Sequence, residues 1–234
     1  MARRGAGAAG LSEKEQWLGG LLLVGYLAVF PLLEGPVFDL AELLFGVSIG
    51  SGLRDVVYFC VLFALTLAVF WNLWVRNTKA LFADLGRVLS SLGVGLVAFY
   101  GLNTLSSVLL RLLPLGMDNL NDAAVSAQLG AAPESTVLIV VFLAPVVEET
   151  LFRGYVFGIL REHSRIAAYA VSCLLWAMAH VWQYAAGNWA YLWMLVPYVV
   201  PGLVMAWTCE RAGSLWGSVL LHGAVNALAV WSVL

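Results

Sequence analysis

Of the 234 residues, 62% are hydrophobic and 11% are charged, against about 45–50% and about 25% in soluble domains. The net charge of −2 brings no basic stripe for nucleic acid. Several apolar stretches approach or exceed the roughly 20 residues that cross a bilayer, so the chain reads as an all-α, polytopic membrane bundle and not as a soluble domain.

The opening Met1-Ala2-Arg3-Arg4 does not resemble a cleavable signal, because no small-residue cleavage site follows a short apolar region. Residues 1–16 read as a polar tail and residues 17–234 as one membrane domain. Spans are expected at about 17–33, 56–75, 88–110, 136–160, 166–184, 189–209 and 215–234, about seven transmembrane helices in all. Between the first two, residues 34–54 interleave Glu34, Asp39 and Glu42 with apolar residues, which suggests an interfacial or re-entrant segment. Trp71 and Trp74 close the second span as an aromatic belt, and Arg76, Lys79 and Arg87 follow in a short basic loop. The stretch 111–135, with Pro114, Asp118, Asp122 and Glu134, is the most soluble-looking part of the chain. Cys60, Cys173 and Cys209 lack metal-ligand spacing and read as small apolar fillers. His163 lies in the basic loop Arg161–Arg165 and reads as solvated. The aromatic residues of 182–193 read as an interfacial belt or a substrate rim. Pro197, Pro201 and Gly202 indicate either a packing kink or a broken helix that opens a side entrance.

Seven spans put the termini on opposite sides. With the N-terminus inside, Arg3, Arg4, Lys14, Arg76, Lys79, Arg87, Arg161, Arg165 and Arg211 all fall inside, and Arg54 and Arg111 fall outside. The positive-inside rule therefore predicts a cytoplasmic N-terminus and an external C-terminus.

Within the span at 136–160, Glu148, Glu149 and Arg153 interrupt an apolar run. Each charge costs about 2.5–3.5 kcal/mol at the centre of a membrane helix on insertion scales, so the cluster needs a partner or a use. Glu149 and Arg153 are four apart and share a helix face, which suits a direct pair. Glu148 is rotated by one residue and is left for chemistry. A purely structural ion pair would account for one glutamate and leave the second unexplained. Trp176 and His180 share a face of the next span, where a histidine alone fits packing as well as function. His222 and Asn226 share a face of the last span, with Gly223 and Ala224 between them for close helix approach. Read alone, that pair also fits an interhelical hydrogen bond.

A carboxylate beside a histidine can hold a water and take its proton, and donors on the far side can stabilise an oxyanion. The sequence has no Gly-x-Ser-x-Gly elbow and no His-Glu-x-x-His motif, so neither a serine hydrolase nor a zincin is supported. Zinc held by Glu148, His180 and His222 stays open on ligand type alone.

Glu148-Glu149-Thr150-Leu151-Phe152-Arg153-Gly154 resembles the EExxxR motif of the CAAX protease and bacteriocin-processing (Abi) family. Trp176-Ala177-Met178-Ala179-His180 is similar to its Phe-x-x-x-His motif, with Trp in place of Phe. His222-Gly223-Ala224-Val225-Asn226 is similar to its His-x-x-x-Asn/Asp motif, and Arg211–Trp216 resembles the lead-in to it. The resemblance covers about residues 135–234. It implies a glutamic-type intramembrane protease, a hydrolase with no cofactor and no metal. Glu148 would be the base, with His180 helping to activate water. His222 and Asn226 would form the oxyanion hole, and Glu149 and Arg153 would support the site. Trp176 would alter packing behind His180 more than chemistry. The family's substrates vary from prenylated CAAX tails to bacteriocin leaders and C-terminal sorting tails. The small size and short basic tail look prokaryotic, where CAAX prenylation is not expected. The expectation is therefore an inner-membrane endopeptidase whose partners are the lipid bilayer and a membrane-associated peptide or protein tail. The alternatives are a non-enzymatic scaffold or bacteriocin immunity protein, and a zinc-dependent hydrolase using the same residues.

Overall fold

The computed structural model describes residues 10–112 and 119–233, without the side chains of residues 109–111. Residues 1–9 of the expected tail, with Arg3 and Arg4, lie outside the described residues, as do Pro114, Asp118 and the Arg111 side chain. The described residues form helices α1 (Glu13–Phe45), α2 (Ser51–Val69), α3 (Trp71–Ala83), α4 (Leu85–Arg111), α5 (Leu120–Ala131), α6 (Pro133–Arg161), α7 (Arg165–Gly187), α8 (Trp189–Ala212) and α9 (Trp216–Trp231), and no strand. Six of them (α1, α2, α4, α6, α7 and α8) are long and apolar enough to cross a membrane. The seventh apolar run forms α9, whose 16 residues span about 24 Å at 1.5 Å per residue. The chain is an integral, polytopic helical membrane protein.

Three boundaries depart from the sequence expectation, each for a local physical reason. The first helix begins at Glu13, inside the expected tail. Ser12 caps it by accepting from the Glu15 amide at 3.2 Å, while the Glu15 carboxylate accepts from the Ser12 amide at 2.8 Å. This reciprocal capping box satisfies two amides that would otherwise be orphaned. Residues 34–45 continue α1, and residues 51–54 open α2, so 34–54 is not a separate interfacial piece. Its charges meet at the turn between the two helices. Arg54 reaches Asp39 at 3.0 Å and Glu42 at 2.8 Å, and it also donates to the Ile49 carbonyl. The expected basic loop after the second span is mostly helix, α3.

That third helix holds the start of α9 in place. Gly213 (φ +67°) ends α8 in the left-handed region that favours glycine. The chain then lies against Asn77. The Asn77 side chain accepts from the Leu215 amide at 2.6 Å, and the Asn77 carbonyl accepts from the Ser214 hydroxyl at 2.9 Å. Trp216 donates its indole N–H to Thr78 and meets Trp74 edge-on at 5.1 Å. The angular start of α9 is thus fixed by α3.

The core is centred on α6. In its most apolar window 56% of residues are buried, against 11% in α1 and in α2. Helices α1, α2, α7, α8 and α9 all pack against it. Ser172 of α7 donates to the Phe152 carbonyl at 2.8 Å. Gly223 of α9 lies so close to α6 that a Cβ there would sit 2.8 Å from the Val141 carbonyl oxygen. Helix α8 runs through Pro201 without a break, after a tight 3₁₀ start at Trp189–Met194. The broken-helix reading therefore does not describe it. Cys173 and Cys209 are buried and all three cysteines are free. His163 is exposed. Four basic residues gather at one end of the bundle, where Arg161 and Arg165 both pair with Glu210 and Arg87 donates to the Arg211 carbonyl.

Candidate active site

The two glutamates sit at the close of the α-helical stretch Ala144–Glu149, between two turns of α6 that are widened to i→i+5 bonding, Leu138–Leu143 and Thr150–Phe157. Such widened turns are rare and are frequently found at functional sites. Both glutamates are buried, Glu149 fully and Glu148 with 6% exposure, yet their surroundings differ.

Glu149 is neutralised. Its Oε1 accepts from Arg153 Nη1 at 3.0 Å and from His222 Nδ1 at 3.0 Å. Arg153 is itself buried. It donates through Nη2 to the Gly202 carbonyl at 3.1 Å and stacks its guanidinium 5.0 Å from the Trp176 ring centre. The i,i+4 pairing expected from the sequence is present, and it ties α6 to α8 and α9 at once.

Among the described residues no cation is hydrogen-bonded to Glu148. Its Oε1 accepts from the Tyr26 hydroxyl at 3.0 Å and its Oε2 from the Trp176 indole N–H at 2.7 Å. His180 Nε2 stands 3.8 Å from the same Oε2, too far for a direct hydrogen bond. The other ring nitrogen of His180, Nδ1, lies 2.8 Å from the Trp176 carbonyl. A carbonyl only accepts, so Nδ1 carries the proton, and in the neutral ring Nε2 presents its lone pair toward Glu148. Aromatic neighbours hold that ring. Tyr198 stacks on it at 4.7 Å and 27°, and Trp176 lies at 4.6 Å.

The last motif divides its contacts. His222 and Asn226 do share a face of α9 and both reach α6, but they have separate targets there. His222 bonds Glu149, and the Asn226 amide donates to the Val140 carbonyl at 2.7 Å, which leaves its second N–H free of that bond. The structure thus brings Glu148, Glu149, Arg153, Trp176, His180 and His222 into one connected cluster and places Asn226 one helical turn along from His222. Among the described residues no three His, Cys, Asp or Glu side chains are grouped as metal ligands.

Three features escaped the sequence reading. Trp176 is not only packing behind His180, because its N–H is bonded to Glu148, a contact that phenylalanine cannot make. A buried indole N–H needs an acceptor, and the adjacent buried carboxylate was a legible candidate. Tyr198 anchors its hydroxyl on Asn119 at 3.2 Å and Asp122 at 3.4 Å, so α5 is fastened above His180 through it. Tyr26 is 122 positions from Glu148, and nothing local in the sequence announces their contact.

Residues 131–228, under half of the chain, match the family model described as type II CAAX prenyl endopeptidase, Rce1-like. The chain is also similar to the UPF0177 protein YxdF of Lactococcus lactis subsp. lactis (strain IL1403). The two are 27% identical over 160 residues, which cover 67% of this chain and 82% of the relative. No solved structure matches significantly. All three motifs fall, in order, inside the matched segment. Residues 131–228 are thus similar to the CAAX protease and bacteriocin-processing family, a family of membrane endopeptidases.

Proposed function

We propose that this protein is a glutamic-type intramembrane endopeptidase that hydrolyses a peptide bond in a membrane-associated peptide or protein tail. The observation that carries this reading is the unequal treatment of the two glutamates. Arg153 and His222 both bond Glu149, while among the described residues Glu148 accepts only from the Tyr26 hydroxyl and the Trp176 indole, with His180 Nε2 3.8 Å away. A water seated between Glu148 and His180 is within hydrogen-bond reach of both. Glu148 takes its proton, and the oxygen attacks the scissile carbonyl carbon. The carbonyl oxygen becomes an oxyanion. Glu148 then gives the proton to the leaving amine as the C–N bond breaks.

His222 and Asn226 are the donors for that oxyanion. With its Nδ1 proton committed to Glu149, His222 donates from Nε2 only as an imidazolium. Asn226 supplies the N–H that Val140 leaves free. Donors of this kind, aimed where charge develops, are typically worth about 10²–10³-fold in rate. The substrate class we favour is a C-terminal sorting tail or a peptide leader. The clustering of Arg87, Arg161, Arg165 and Arg211 at one end of the bundle supports the orientation with a cytoplasmic N-terminus and an external C-terminus, and we place the protein in the inner membrane.

The test compares protein termini in membranes of host cells carrying the wild type or Glu148→Gln, after both proteins are shown to accumulate equally. Loss of one set of termini in the variant is expected, and it names the substrates. Identical sets, in conditions where the gene matters, overturn the reading in favour of a scaffold or immunity protein.

A further inference from the structure

Both carboxylate oxygens of Glu148 are occupied. One donor is the indole of Trp176 on α7, the first residue of the second motif. The other is the Tyr26 hydroxyl on α1, which no motif supplies and which lies outside the matched segment 131–228. Resting on the endopeptidase reading above, we infer that Tyr26 is a positioning residue for Glu148, so that the N-terminal helix completes the site.

Three observations converge on this. First, the backbone places the ring deliberately. Tyr26 lies in the widened turn Gly25–Val29, just ahead of Pro31, where α1 departs from regular i→i+4 bonding. Second, α1 is docked closely onto the glutamate helix. At Gly19 a Cβ would stand 2.6 Å from Phe70 and 2.7 Å from Tyr155, so only glycine allows that approach. Tyr155 of α6 then donates to the Gln16 carbonyl at 2.8 Å. Tyr26 itself packs edge-on against Phe152 at 6.0 Å. Third, the two donors approach opposite oxygens. One donor alone would leave the carboxylate free to rotate about its last torsion. Two donors from α1 and α7 fix its plane, and they hold Oε2 toward His180. A carboxylate that must receive a proton from one water and return it to one leaving group benefits from a fixed plane.

A merely structural tyrosine would also seek an acceptor for its hydroxyl, so the test separates the two roles. Tyr155→Phe serves as the control. It removes the other phenolic hydrogen bond that holds α1, without touching Glu148. Purified proteins in lipid films are compared by infrared spectroscopy, with the Glu148 carboxylate band identified by its disappearance in Glu148→Gln. Tyr26→Phe is expected to shift that band and Tyr155→Phe to leave it in place. In host membranes, Tyr26→Phe is expected to slow formation of the Glu148-dependent termini by about tenfold to a hundredfold, the usual worth of a hydrogen bond to a charged group. Tyr155→Phe should stay within about threefold of wild type at equal accumulation.

If the band stays in place in Tyr26→Phe, or shifts with no loss of rate, the inference is overturned. Equal loss in both phenylalanine variants also overturns it, in favour of plain helix docking. Failure of the endopeptidase reading looks different. Glu148→Gln would then leave all termini unchanged, while the infrared comparison still reports whether Tyr26 holds Glu148.

Discussion

Arg153 is the most demanding side chain in the bundle, and replacing it gives the sharpest test of the site's electrostatics. In Arg153→Met the Glu149 carboxylate, fully buried, loses the guanidinium at 3.0 Å and keeps His222 alone. The Gly202 carbonyl loses its donor as well. Removing one partner of a buried pair costs about 3–5 kcal/mol, because the other charge is left uncompensated. At 1.4 kcal/mol per decade this is a shift toward the unfolded state of roughly two to three and a half decades. The double variant Glu149→Leu/Arg153→Met removes both charges at similar volume. It should recover at least half of the loss, since replacing a whole buried pair by apolar residues is often neutral. The assay is equilibrium unfolding in mixed lipid–detergent micelles titrated with dodecyl sulfate, followed by near-ultraviolet circular dichroism. An Arg153→Met midpoint within about 0.5 kcal/mol of wild type, or a double variant no more stable than the single, would refute the argument that this pair is the electrostatic keystone of α6, α8 and α9.

Three further outcomes follow from the packing. Asn77→Leu removes the clasp on Leu215 and leaves a buried amide N–H without its acceptor, so the same titration should show a loss of about 1–3 kcal/mol. Gly223→Val drives a side chain against the Val141 carbonyl, a backbone atom that cannot swing aside. Overpacking of this kind costs about 1–3 kcal/mol. Cleavage should fall further than that loss predicts, because His222 and Asn226 flank the displaced residue. Tyr198→Phe removes the hydroxyl that Asn119 and Asp122 hold. Amide exchange should rise over Leu120–Ala131 and stay unchanged in α6.

The parts of this structure that were legible in the sequence are those governed by period and spacing. The apolar runs gave the helices, and the four-residue step gave the Glu149–Arg153 pair and the shared face of His222 and Asn226. What was not legible depends on distance along the chain or on what lies opposite. The acidic residues at 34–54 suggested a surface-lying segment because their cation, Arg54, sits across a turn and no periodicity links them. The same holds for Asn77, whose partners are Ser214 and Leu215. Sequence spacing told that His222 and Asn226 point one way, but not that they meet different atoms of α6. The capping box at Ser12 was visible in the residues, but it was hidden by the polar composition of the stretch around it.

The widened turns of α6 also bear on how its relatives should be aligned. An i→i+5 turn takes up about one residue more than a regular turn, so a wheel drawn at 100° per residue loses phase across Leu138–Leu143 and again across Thr150–Phe157. Side chains on either side of the glutamates therefore occupy directions that an ideal wheel assigns to their neighbours. A homologous helix one residue shorter at either turn would relax to regular bonding and still aim its glutamates the same way. Single-residue gaps beside the paired glutamates are thus the expected form of length variation in this helix, and an alignment that forbids them there will put the wrong residues in register.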